Sequence, residues 1–166
     1  QTHFNAAHPH EIIFTSGTTE SINVIAAGYA SILKKEDELL ISALEHHSNI
    51  VPWQMLCEKT GATLKVIPMT KLGTLDMEAF DNLLNPKTKL VFVNHVSNAL
   101  GTINPIKEII DKSHQKGAKV LIDGAQASPH IKTDVRALNT DYYVTSAHKL
   151  CGPTGVGMLY GKETLL

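Results

Sequence analysis

Short, nearly unbroken apolar runs alternating with stretches of helical periodicity constrain this chain more than any other feature. The runs are "EIIFTS" (11–16), "ELLISAL" (38–44), "ATLKVIPM" (62–69), "KLVFVNHV" (89–96), "KVLID" (119–123), "DYYVTS" (141–146) and "GVGMLYG" (155–161). Their length is that of strands, and their continuous apolar character marks strands buried on both faces. Between them, Ile22, Ile25, Tyr29 and Ile32 recur at helical spacing. A second helix runs from about Asn49 to Thr60, where Gly61 stops it, and Asp76 is placed to cap a third. Asn104-Pro105 supplies a cap and a first-turn proline ahead of Ile106, Ile109 and Ile110, with Gly117 at the stop. The alternation predicts a three-layer αβα sandwich around a mainly parallel sheet of about seven strands. With no linker, repeat or low-complexity segment, residues 1–166 read as one domain.

Composition narrows the classes of function. The chain is 43% hydrophobic and 19% charged, with 15 Lys plus Arg against 16 Asp plus Glu. No basic run or stripe points to nucleic acid or to an anionic membrane. The apolar runs are too short to span a bilayer, and "QTHFNAAHPH" lacks the basic start and apolar core of a signal peptide. Two cysteines, Cys57 and Cys151, argue against a disulfide framework and fit a reducing cytoplasm. A first residue of Gln rather than Met suggests a piece of a longer protein.

Ligands of open α/β sheets bind outside the carboxyl ends of the strands, so the residues just after each run matter most. The first run leads to Gly17, Thr18, Thr19 and Glu20, the second to Glu45, His46, His47, Ser48 and Asn49. The fourth leads to Ser97, Asn98 and Gly101, the fifth to Asp123, Gly124 and Gln126, and the sixth to Ser146, His148 and Lys149. "TSGTTES" suits an anion, because a glycine turn, threonine hydroxyls and free helix N–H groups occur together. It is not a P-loop, and the plainer role for Thr18 or Thr19 is a helix cap. Asp123 at the end of an apolar run needs a cation or hydrogen bonds: a protonated heteroaromatic nitrogen, a structural lysine or a helix N–H would each serve. His46 and His47 lack the spacing of metal ligands, no Cys/His set completes a site, and no metal is expected. Lys149 follows a buried strand. In a partly buried, cation-lined pocket its neutral amine could attack a carbonyl and form a Schiff base. A phosphate cradle, a carboxylate, a flat ring, an amide donor and an amine form the set that pyridoxal 5'-phosphate (PLP) requires.

"FTSGTTESIN", "EHHSNIVPWQ", "HVSNALGTINP", "DGAQA" and "HKLCGPTGVG" together resemble the class V aminotransferase group of fold type I PLP enzymes, from about Glu11 to the C-terminus. Within it the chain most resembles the Suf-type (group II) cysteine desulfurases, "EHHSNIVPWQ" being the segment that favours that branch. The resemblance implies Lys149 as the Schiff-base lysine, Asp123 at the pyridine nitrogen and His46 stacked on the ring with a part in proton transfer. It implies Gln126 at the phenolate oxygen, Asn98 beside the cofactor, and Thr18, Thr19, Ser146 and His148 around the phosphate. The implied reaction takes sulfur from L-cysteine (or selenium from selenocysteine), leaving alanine and an enzyme persulfide for an acceptor protein of iron–sulfur cluster assembly. A cytoplasmic homodimer is implied as well.

The family's nucleophilic cysteine and its substrate-carboxylate arginine have no match in these residues. Cys57 reads as a packed apolar residue, Cys151 stands where a tyrosine is common, and Arg136 is badly placed for a carboxylate clamp. The resemblance therefore implies the large cofactor-binding domain, without the family's N-terminal segment and C-terminal small domain. That domain would be inactive in desulfuration by itself. A related aminotransferase, a selenocysteine lyase, a kynureninase-like enzyme and an inactive PLP-binding fragment stay open at this point.

Overall fold

The computed structural model describes residues 1–166. Seven strands form one sheet: β1 (Ile12–Thr15), β2 (Glu38–Ser42), β3 (Thr63–Ile67), β4 (Thr88–Asn94), β5 (Lys119–Asp123), β6 (Tyr142–Ser146) and β7 (Gly157–Gly161). Five helices accompany them: α1 (Thr18–Tyr29), α2 (Val51–Thr60), α3 (Met77–Leu83), α4 (Ile106–Gln115) and α5 (Val135–Leu138). The strand order is β1-β7-β6-β5-β4-β2-β3. β7 runs antiparallel to β6 and β1, and every other pair is parallel. The exception has a local cause. β7 follows β6 through residues 147–156, which hold a 3-10 turn but no crossover helix, so the chain returns in the opposite sense.

Period-two alternation sorts the apolar side chains to two faces. Leu40, Val91, Val93, Val120 and Ile122 pack on one side with Phe80 of α3, Ile109 and Ile110 of α4 and Val135 of α5. Leu39, Ile41, Leu90, Phe92 and Leu121 pack on the other with Ile22 and Ile25 of α1 and Trp53 and Leu56 of α2. The expected αβα sandwich is the observed one, and the central strands read as continuous apolar runs because both their faces are covered, while the edge strands β1 and β3 expose Phe14 and Val66.

Helix ends agree with expectation in part. Gly61 ends α2 at φ 78°, Gly117 follows α4 at φ 81°, and Asp76 Oδ1 accepts the Ala79 N–H at 2.9 Å as the cap of α3. Asn104 does not cap α4. Its Nδ2 donates to the Asn94 carbonyl at 2.8 Å and to Asn94 Oδ1 at 2.6 Å, and Pro105 precedes rather than opens the first turn. A buried asparagine at the end of β4 needs partners, and that demand outweighs the capping preference. Thr18 and Thr19 are not side-chain caps either, since Gly17 holds the cap position of α1 with no side-chain bond.

The chain reverses direction across the sheet between β2 and β4. From β2 it builds outward to β3, and from β4 it builds the other way through β5 and β6. A crevice at the carboxyl ends is expected there. At the far side, β7 meets the turn that enters α1 backbone to backbone: a Cβ on Gly157 would lie 2.4 Å from Gly17 Cα. Gly157→Ala should therefore cost about 1–3 kcal/mol, as overpacking of a tight contact does. Urea denaturation measures this, and a variant as stable as wild type would contradict the contact.

Candidate active site

Four strand ends and the start of α1 enclose one cavity of about 190 Å³. Its lining includes Thr18, Thr19, His46, Asn98, Asp123, Gln126, Ser146, His148 and Lys149, so every site residue expected from the sequence is brought together. Ser48, Asn94, Val96 and Ala125 complete it.

The anchor of the α1 end is Ser146. Its Oγ accepts the Thr18 N–H at 2.9 Å and lies 2.7 Å from Thr18 Oγ1. This contact ties the first helix to the end of β6, 128 residues away. Thr19 sits in the same first turn, where N–H groups lack helical acceptors and the helix dipole is positive. A dianion fits these donors.

Asp123 ends β5 and is only 6% exposed. Its Oδ1 accepts the Ala125 N–H at 2.9 Å, while Oδ2 takes no hydrogen bond from the protein. Burial raises its pKa above the usual carboxylate range; the Ala125 N–H and the nearby Lys149 and His46 side chains pull the other way. Behind it, Gly124 lies flat on Tyr143, for a Cβ there would come within 2.0 Å of the ring. The Tyr143 hydroxyl is held by His95 Nδ1 at 3.2 Å and Thr133 Oγ1 at 3.1 Å. A buried carboxylate with one free oxygen suits a cationic N–H donor such as a protonated ring nitrogen.

Lys149 is half-buried and donates to Gln126 Oε1 at 3.2 Å. Lys149 shares the pocket with His46, His148 and the Asp123 carboxyl group rather than with a ring of other lysines or arginines. His46 Nδ1 lies 2.8 Å from Ser48 Oγ and accepts the Ser48 N–H at 3.2 Å, which fixes the ring and leaves Nε2 free. His95 is buried as a structural residue, its pKa lowered by burial. Cys57 is packed among α1, α2 and the sheet, and Cys151 is exposed outside the cavity lining. Arg136 lies on α5, outside that lining.

Sequence reasoning missed two groups. Asn94 was hidden as the last residue of an apolar run. Glu45 was seen at a strand end but given no role. Its carboxyl accepts the Asn94 N–H at 2.7 Å and Asn49 Nδ2 at 2.7 Å, and also bonds Ser42 Oγ. Burial pushes its pKa up to about 8, with the Asp123 charge adding and the three donors opposing.

Fold and cavity define an α/β ligand-binding domain with a polar pocket at the carboxyl ends of its parallel strands. The family model "Aminotransferase class-V" matches residues 1–166, and the chain belongs to that family. The cysteine desulfurase of Cronobacter sakazakii is 54% identical over 98% of this chain, and an Escherichia coli relative of the same name is equally similar. The chain spans 40% of the length of these relatives. The crystal structure of the cysteine desulfurase CsdA from Escherichia coli superposes with a TM-score of 0.96 at 38% identity, covering 99% of this chain and 42% of that one. A C-DES mutant with glycine covalently linked to its PLP cofactor superposes at 0.89 with 28% identity, over 98% of this chain and 43% of that one. No group of three or more His, Cys, Asp or Glu side chains could hold a metal, and no helix is long and apolar enough to cross a membrane.

Glu45 makes stability depend on pH. Its folded-state contribution is fully present below the ordinary value of 4.5 and is lost as pH rises toward about 8, because the folded chain keeps a proton that the unfolded chain releases. Urea midpoints of wild type should therefore fall with pH across that window more steeply than those of Glu45→Gln. Parallel slopes would contradict the assignment.

Proposed function

We propose that these residues form the PLP-binding domain of a cysteine desulfurase of the Suf-type branch. One observation carries the reading: a buried carboxylate with a free oxygen, a lysine amine and an anion-binding helix start line one cavity. Bound PLP supplies an aldehyde for condensation with amines and a protonated ring that draws electrons from the substrate carbon. Asp123 Oδ2 holds the ring N–H, and Thr18, Thr19, Ser146 and His148 hold the phosphate. Gln126 turns its amide to the phenolate oxygen. The Lys149 amine would serve as the base that takes the proton from the substrate carbon. His46, its ring fixed by Ser48, stacks over the cofactor and assists that transfer, and Asn98 lies on the substrate side.

L-cysteine as substrate, a protein acceptor for the sulfur and a homodimeric assembly follow from the same reading. Identity of 54% to proteins named cysteine desulfurase supports this over other class-V reactions. Cys57 is buried and Cys151 lies outside the cavity lining, so neither serves as the persulfide thiol.

Spectrophotometric titration with PLP tests the reading. Wild type should develop a visible band that Lys149→Ala abolishes and that Asp123→Asn weakens by roughly tenfold in affinity, the scale of a lost charge-assisted hydrogen bond. A band of equal strength in Lys149→Ala would contradict it. These 166 residues with PLP and L-cysteine should release no alanine; turnover would show that the required thiol is among them.

A further inference from the structure

Glu45 is a buried ionisable group that the proposed chemistry does not use. It lies at the junction of every element that frames one side of the cavity. It follows β2 and precedes His46 directly. Oε1 accepts the backbone N–H of Asn94, which lines the cavity and pairs in register with Asp123 on the neighbouring strand. Oε2 accepts Asn49 Nδ2, and Asn49 Oδ1 accepts the indole N–H of Trp53 at 2.9 Å. An indole N–H can only donate, so Asn49 has its oxygen toward Trp53 and its NH₂ toward Glu45. Trp53 is fully buried and stacked on Phe92 at 3.7 Å, which makes it a rigid reference point. On the other side, Asn94 Nδ2 donates to the Leu44 carbonyl and Asn104 Nδ2 donates to Asn94 Oδ1. The turn of residues 45–49 is thus tied to β4 through the Glu45 carboxyl group and, by way of Asn49, to Trp53 of α2.

We propose that Glu45 is a positioning residue of this pocket: its carboxyl fixes the turn that carries His46 and the end of β4 beside Asp123. Two acceptor oxygens are required, because the N–H of Asn94 and the NH₂ of Asn49 both donate to the group. An amide at this position satisfies one of them and leaves a donor facing the other. Glu45→Gln is therefore a partial loss and Glu45→Ala a complete one. The consequence for PLP binding rests on the function proposed above, but the consequence for His46 does not.

The test uses histidine labelled with carbon-13, with the His46 ring resonance identified by its loss in His46→Ala. In ligand-free protein Glu45→Ala should shift or broaden that resonance, and Glu45→Gln should do so less. The PLP dissociation constant should rise about tenfold in Glu45→Ala, the scale expected when a group that aligns a binding residue is removed. Asp76→Ala removes the cap of α3, destabilises the fold away from the pocket, and should leave both readouts unchanged. An unmoved His46 resonance in both Glu45 variants overturns the proposal, and so does an equal shift in Asp76→Ala. An unchanged PLP dissociation constant in both Glu45 variants also overturns it. Should Glu45→Ala not fold, Glu45→Gln decides by the same criteria. Failure of wild type to bind PLP contradicts the proposed function, while the His46 resonance still decides this inference.

Discussion

Burial of the central strands on both faces governs where polar chemistry can sit in this chain, because a charged side chain in their middle would leave water on either side. Each fully buried Leu, Ile or Phe contributes roughly 1.5–3 kcal/mol, and the strands alternate such residues to two cores. The strand ends are what remains. There the backbone leaves the ladder, side chains point past the apolar layers, and α1 brings unsatisfied N–H groups to meet them. The hydrogen bond from Thr18 to Ser146 closes that arrangement by fastening the start of α1 to the end of β6.

The pocket concentrates unlike demands within a small space. Asp123 and Glu45 both sit where burial resists their ionisation, and the Asp123 charge adds to the resistance at Glu45. Their surroundings differ in a way that separates their roles. Three donors enclose Glu45 and engage both of its oxygens, whereas Asp123 has one N–H and an oxygen open to the cavity. One carboxyl group is committed to the protein, and the other is available to a ligand.

Most of the fold and of the pocket was legible in the sequence because the apolar runs mark the strand ends, and those ends carry the polar residues. Thr18, His46, Asp123, Ser146 and Lys149 could be listed without knowing which strands were neighbours. What escaped depends on neighbours. Asn104 followed by a proline reads locally as a helix start, and nothing near it in sequence announces that Asn94 will claim its side chain. Glu45 looks like one polar residue in a turn until β2 pairs with β4 and puts the Asn94 N–H against it. The Gly17–Gly157 contact is invisible for the same reason, since the two glycines meet only once β7 has folded back beside β1.

The central claim is that this cavity holds PLP through Lys149, and covalent mapping tests it most directly. Protein incubated with PLP, reduced with borohydride and digested should carry the pyridoxyl mass on the peptide containing Lys149 and on no other lysine at comparable occupancy. Labelling spread over the exposed lysines, with Lys149 unmodified, would contradict the account.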